Sequence, residues 1–216
     1  MVHVSSPGLA GGTHLPIEAV LRPVGATGWA DDVLRSLDRF DAVVLGPGLG
    51  RKDETAASAR YVAVQCPLPL VIDGDGLFAL AWNADGAAAL LTQRSAATVL
   101  TPHPLEAARL LGLTTTQVQS NRLQSAHRLA QHGACTVVLK GSGTIVAAPG
   151  QIPCINPTGN PKLATPGSGD VLAGMVGATL AAGNPPFDAA CQAVYRHGLA
   201  ADHWPPGEGL TASALA

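Results

Sequence analysis

Charge is scarce in this chain and nowhere concentrated. Asp, Glu, Lys and Arg make up 13% of the 216 residues, well below the ~25% of an ordinary domain. The formal charge is -2 and no run of Lys or Arg occurs, so the electrostatic footprint of a nucleic-acid binder is absent. Cysteine is sparse too. Cys66, Cys135, Cys154 and Cys191 are scattered, with no C-x-x-C pair and no His at zinc-finger spacing, which argues against a disulfide framework or a zinc site and leaves free thiols; no metal-ligating residue is assigned. The N-terminus has no basic flank leading into an apolar core, and the most apolar stretch is broken by Gly and Thr, short of the ~18 to 20 residues of a membrane span. A cytoplasmic protein without membrane contact is expected. Two nucleotide signatures are also missing. Gly46-Pro47-Gly48-Leu49-Gly50 has Arg51 where the dinucleotide fingerprint needs its third glycine, and no Gly-Lys-Ser/Thr follows to make a P-loop.

What is present is apolar. Hydrophobic residues are 47% of the chain, enough at this length for one well-buried core, and residues 1–216 are read as a single domain. So mild a surface also suggests contacts between subunits, hence a homo-oligomer. Short β-branched runs recur: Asp41–Leu45, of the kind found in a parallel strand covered on both faces, ends in the glycine cluster Gly46–Gly50, Leu70–Ile72 in Asp73-Gly74-Asp75-Gly76, Thr98–Leu100 in Thr101-Pro102-His103-Pro104, and Thr136–Leu139 in Lys140-Gly141-Ser142-Gly143-Thr144. Helical spacing fills the gaps at Asp53–Gln65, Leu105–Leu111 and Gln117–His132. Such alternation predicts an α/β fold with a mostly parallel central sheet and helices on both faces, its ligand rim at the carboxyl ends of the strands. Thr144–Ala148 and Gln151–Ile155, separated by Pro149-Gly150, read as a hairpin.

The hairpin leads into the densest stretch, Asn156–Ala173, NPTGNPKLATPGSGDVLA. Gly167 and Gly169 flank Ser168 just before Asp170, and an apolar helical stretch follows. Glycines let a backbone approach a ligand closely, and the first amides of a helix point outward as anion donors. Gly167, Ser168 and Gly169 therefore read as an anion cradle with a carboxylate beside it. Taken alone, GSGD reads first as an ordinary helix cap. The hydrogen-bonding groups of Asn156, Asn160 and Thr165 and the stiffening Pro157, Pro161 and Pro166 favour a site. Asp73 and Asp75 fit an Asx turn as well as a ligand contact. Lys140 is either a snorkelling cation or, ahead of its Gly-Ser-Gly turn, a phosphate ligand. His103 is fixed between two prolines, and the six other histidines show no partner pattern.

In order along the chain, GPGLG, DGDGL, TPHPLEAARLLG, VVLKGSGT, NPTGNPKLATPGSGDVLAG and AVYRHGLAAD, spanning Gly46–Asp202, resemble the ADP- or ATP-dependent NAD(P)H-hydrate dehydratases of the ribokinase-like superfamily. Gly74 and Gly76 stand where that family usually has Ala, and Pro166 where it has Gly. The resemblance implies a three-layer ribokinase-like fold and repair of hydrated NADH or NADPH at the expense of ADP or ATP with Mg²⁺. It implies Gly48, His103 and Asp170 at the hydrate, Lys140, Gly141, Ser142, Gly143, Thr144 and Gly169 at the nucleotide, and Asp170 as catalytic base. It also implies a tetramer and a fused or separate epimerase partner. A kinase of a vitamin-precursor alcohol would share the GSGD helix but stop at the phosphorylated product, and a non-catalytic binding protein would bind nucleotide without turnover. Family members carry roughly one more βα unit before the strand at Val2–Ser5 and continue past Gly209–Ala216. A domain shortened at its N-terminus and slightly at its C-terminus is accordingly expected.

Overall fold

The computed structural model describes residues 1–8, 15–81 and 87–216. Strands β1 (Val2–Val4) and β2 (Ala19–Leu21) pair in parallel as a small separate sheet. Helix α1 (Trp29–Leu34) leads to β3 (Val43–Leu45), α2 (Asp53–Gln65), β4 (Leu70–Ile72), α3 (Asp75–Ala81), α4 (Ala87–Thr92) and β5 (Thr98–Leu100). Then come α5 (Pro104–Leu111), α6 (Thr115–Ser120), α7 (Arg122–Gly133), β6 (Thr136–Leu139), and a hairpin of β7 (Ile145–Ala147) and β8 (Cys154–Ile155). Helices α8 (Ser168–Ala181), α9 (Pro186–Asp202) and α10 (Ala212–Leu215) complete the chain. The main sheet has six strands in the order β3-β4-β5-β6-β7-β8, parallel through β6 and antiparallel across β7 and β8.

Side-chain alternation along the strands splits the core into two layers. Leu70, Ile72, Leu100, Val137 and Leu139 face one side, packed with Val62 of α2, Leu77 of α3 and Leu129 of α7. Val71, Val99, Val138 and Val146 face the other, against Leu172 and Val176 of α8 and Ala190 and Val194 of α9. The result is a three-layer α/β sandwich, as the strand-helix alternation predicts. Strands buried on both faces explain why β4, β5 and β6 read as unbroken apolar runs.

Three local readings are revised. Edge strand β3 is not covered on both faces along its length, because Val44 keeps 39% of its surface exposed. The helical stretch Gln117–His132 is two helices, interrupted at Asn121, whose φ of -138° and ψ of 52° leave the α region. Helix α8 begins at Ser168, two residues ahead of Asp170. Its cap is Gly167 at φ 85°, a left-handed conformation that favours glycine.

Candidate functional site

The carboxyl ends of β3, β4, β5 and β6 form one rim, and their loops hold one another in place. Gly46, at φ 130°, lies so close to the Asp73 carbonyl that a Cβ there would collide with it. Asp75 ties the same glycine loop down, accepting from the Gly50 amide at 2.8 Å and from Arg51 Nε at 2.7 Å. Gly48, at φ 69°, is left in open space at the outside of the turn. Asp75 thus acts locally to shape the loop that presents Gly48.

Asp73 is 1% exposed. Its carboxylate accepts from Lys140 Nζ at 2.8 Å, joining two strand ends 67 residues apart in sequence. A Cβ on Gly169 would stand 3.2 Å from Lys140 Nζ and 4.0 Å from Asp73 Oδ2, so the ion pair sits directly under the first turn of α8. Glycine at 169 leaves room for that approach.

On the β5 loop, His103 caps α5. Its Nδ1 accepts from the amides of Leu105 at 3.2 Å and Glu106 at 3.3 Å, while Glu106 Oε2 accepts from the His103 amide at 2.8 Å. This reciprocal capping box satisfies helix donors that otherwise lack partners. With Nδ1 accepting, the ring proton belongs on Nε2, which faces Glu106 Oε1 at 3.3 Å. Burial, then the nearby Lys140 charge, holds the His103 pKa below its ordinary value, and burial raises that of Glu106. The lowered pKa favours the neutral imidazole, and the capping box fixes its orientation. Prolines at 102 and 104 pre-set this turn, with Pro104 at the first helical position, where its missing amide costs nothing.

At the start of α8 the Ser168 amide is already taken by Thr165 O at 3.3 Å. Of the glycine-serine-glycine run, Gly167 and Gly169 keep amides with no partner among the described residues, and the Asp170 amide does so too. Asp170 is exposed on this turn. Partial burial of the carboxylate, followed by the nearby Asp73 charge, raises its pKa, and Lys140 works in the opposite direction. A carboxylate so placed is a better proton acceptor than a free one.

Beside this turn lies a cavity of about 420 Å³ lined by Lys140, Gly141, Ser142, Gly143, Thr144, Asn156, Asn160, Ser168 and Gly169, with His197 and Gly198 of α9. Asn156 and Asn160 fold the wall rather than project from it: Asn156 Nδ2 donates to Thr158 O at 2.9 Å, and Asn160 Nδ2 to Ala201 O at 2.7 Å. Gly198 permits this, since any Cβ there would overlap Thr158. Gly48, His103, Gly167 and Asp170 are not in the cavity wall, and Lys140 belongs both to that wall and to the Asp73 pair. The arrangement thus has two compartments joined at Lys140 and the α8 N-terminus. A recessed one carries backbone donors, and the exposed rim beside it carries a carboxylate. No group of three or more His, Cys, Asp or Glu side chains able to hold a metal occurs among the described residues.

Several contacts of the site carry no local sequence signal. Asp73 reaches Lys140 only through the fold, and His197 is buried with Nε2 2.9 Å from Ser168 O, 29 residues away. Arg122 meets the Lys140–Gly143 turn from α7. The His103–Glu106 capping box, in contrast, was readable from Pro104 at the first helical position and Glu106 at the third.

Comparison with known proteins identifies the family. The family model for NAD(P)H-hydrate dehydratase matches residues 10–216. The chain is 40% identical over 188 residues to an ADP-dependent (S)-NAD(P)H-hydrate dehydratase of Neisseria meningitidis, covering 87% of this chain and 62% of that protein. It thus spans less than two thirds of that relative. An ADP/ATP-dependent NAD(P)H-hydrate dehydratase from Bacillus subtilis, co-crystallised with ATP/Mg²⁺, superposes with a TM-score of 0.76 at 30% identity, covering 92% of this chain and 68% of that one. Arabidopsis thaliana ribokinase superposes at 0.56 with 15% identity over 94% of this chain and 72% of its own, a likeness of fold alone, which makes the sandwich ribokinase-like. Family model, sequence identity and fold agree: the chain belongs to the NAD(P)H-hydrate dehydratase family.

Proposed function

We propose that this chain dehydrates the hydrates of NADH or NADPH back to the reduced cofactor, using ADP or ATP. The observation that carries the reading is the two-compartment rim, with exposed Asp170 of raised pKa on one side of the α8 N-terminus and the donor-lined cavity on the other. Hydroxide is a poor leaving group, and phosphorylating the ring hydroxyl before elimination splits one hard step into two. Asp170 takes the hydroxyl proton as that oxygen attacks the terminal phosphorus, and the bond to the nucleotide's bridging oxygen breaks. The ring nitrogen's electrons then expel phosphate, and loss of the neighbouring carbon's proton restores the reduced ring. Lys140 and the amides of Gly169 and Asp170 face the charge that gathers on the transferring group.

In this reading Gly48 and His103 bind the hydrate, with the capped imidazole presenting a fixed edge. Lys140, Gly141, Ser142, Gly143, Thr144 and Gly169 receive the nucleotide, and Asn156 and Asn160 support the wall. Mg²⁺ would accompany the nucleotide and neutralise charge on its phosphates. A homo-oligomer, tetrameric as in the resemblance, and an epimerase partner complete the proposal. The scarcity of surface charge supports the former.

The test is incubation of purified protein with NADH hydrate or NADPH hydrate and each nucleotide, following reduced-nicotinamide absorbance and free phosphate together. Equal yields of both are expected. A phosphorylated product that accumulates without phosphate release would identify a kinase instead, and nucleotide binding without either product a non-catalytic protein.

A further inference from the structure

Arg122 is the first residue of α7, set apart from α6 by the break at Asn121. Its guanidinium lies under the turn that follows β6. Nη2 donates to the carbonyls of Leu139 and Gly143, each at 3.3 Å, and Nη1 to the carbonyl of Lys140 at 3.3 Å and to Gln119 Oε1 at 3.1 Å. Three carbonyls of one turn are thus gathered on one cation. A fourth, that of Gly141, accepts from Thr144 Oγ1 at 2.9 Å. Gly141, at φ 137°, leaves the space the guanidinium occupies, since a Cβ there would stand 2.6 Å from Nη1.

Carbonyls drawn to one side leave amides on the other. The amides of Gly141, Ser142 and Gly143 have no hydrogen-bond partner among the described residues, and all three residues line the 420 Å³ cavity, whereas Arg122 does not. Consecutive unpaired amides in a glycine turn make a concave anion receptor. We infer that Arg122 is a positioning residue for the phosphates of the nucleotide: without touching them, it holds the Lys140–Thr144 turn with its amides facing the cavity. This rests on the cavity being the nucleotide site. A cation directed at the carbonyl side of a turn suits the task because guanidinium offers five donors in a fixed plane, enough to bind several acceptors at once. An ammonium on a flexible stem reaches fewer.

The role predicts a split between the parts of one ligand. Displacement of a fluorescent ADP analogue by ADP, pyrophosphate and adenosine is measured for the full chain and for Arg122→Met and Arg122→Lys, with thermal melting of each. Arg122→Met is expected to weaken ADP and pyrophosphate at least about tenfold, the scale of one lost charge-assisted hydrogen bond, while adenosine is unchanged. Arg122→Lys is expected to recover part of the loss. If the Met variant does not fold, the Lys variant carries the same comparison with a smaller effect. Equal losses for ADP, pyrophosphate and adenosine would reduce Arg122 to a structural prop, and retained ADP affinity in Arg122→Met would overturn the inference alone. Failure of the unsubstituted chain to bind nucleotide would overturn the reading of the cavity, and this inference with it.

Discussion

Asp170 carries the sharpest residue-level expectation. Asp170→Asn keeps the shape and one acceptor but cannot take a proton, so turnover is expected to fall by at least ~10² with nucleotide affinity little changed, checked by steady-state kinetics and calorimetry. Because the base must be ionised, activity is lost on the acid side around a midpoint above the ordinary carboxylate value of about 4, in the direction of its raised pKa. Asp73 is a different case, since it is buried and paired. Asp73→Asn leaves the Lys140 ammonium, whose side chain is only 19% exposed, without its counter-ion. A loss on the order of 3 kcal/mol of stability is expected in denaturant titration. Asp170 was legible in the sequence because its neighbours are, a glycine run opening an apolar helix. The Asp73–Lys140 pair was not, because each residue taken alone had an adequate local explanation in an Asx turn or a snorkelling lysine.

Among the elements, α8 shows how closely the site's helix is fitted to the sheet. A Cβ on Gly177 would stand 2.5 Å from Val44 Cγ2, so Gly177→Leu would force α8 away from β3, with an expected overpacking cost of about 1–3 kcal/mol, measured by thermal or urea unfolding. A second joint is Arg94, whose guanidinium donates to the carbonyls of Ala63, Cys66 and Leu68 and whose Nε meets Thr98 Oγ1 at 2.7 Å. It closes the end of α2 onto the entry to β5, leaving little freedom in the turn leading to β4. The strands β3 to β6 and helix α2 were readable from β-branched runs and helical spacing, since each signal is local. The split of α6 from α7 was not. Apolar spacing continues through it, and only the backbone of Asn121 breaks the helix.

For the molecule as a whole, acid should be more damaging than base near neutrality. Burial pulls the pKa values of His103 and His197 down, so the folded state binds fewer protons than the unfolded one. That stability is complete above the ordinary histidine value of about 6.5 and declines as pH falls below it toward the lowered values. Glu106 and Asp170, both raised, oppose the decline as they take up protons. Unfolding free energy is expected to drop as pH falls below about 6.5, and less so in His197→Gln, by urea titration at each pH. Thiol chemistry reports the same core from another side. Exposed Cys154 should react first with a thiol reagent, while Cys135, pushed up to about 12 by burial, should react only on unfolding. The order of the main sheet, in which β3 through β8 lie side by side in the order of the chain, has a consequence for synthesis. Each new strand can be added to the edge left by the one before it as the chain emerges from the ribosome, with no strand waiting for a later insertion. The face made by Val71, Val99, Val138 and Val146 nevertheless stays bare until α8 and α9 arrive to cover it. Those same helices bring Asp170 and His197 to the rim, so the nascent chain exposes most apolar surface in the interval just before the rim is assembled.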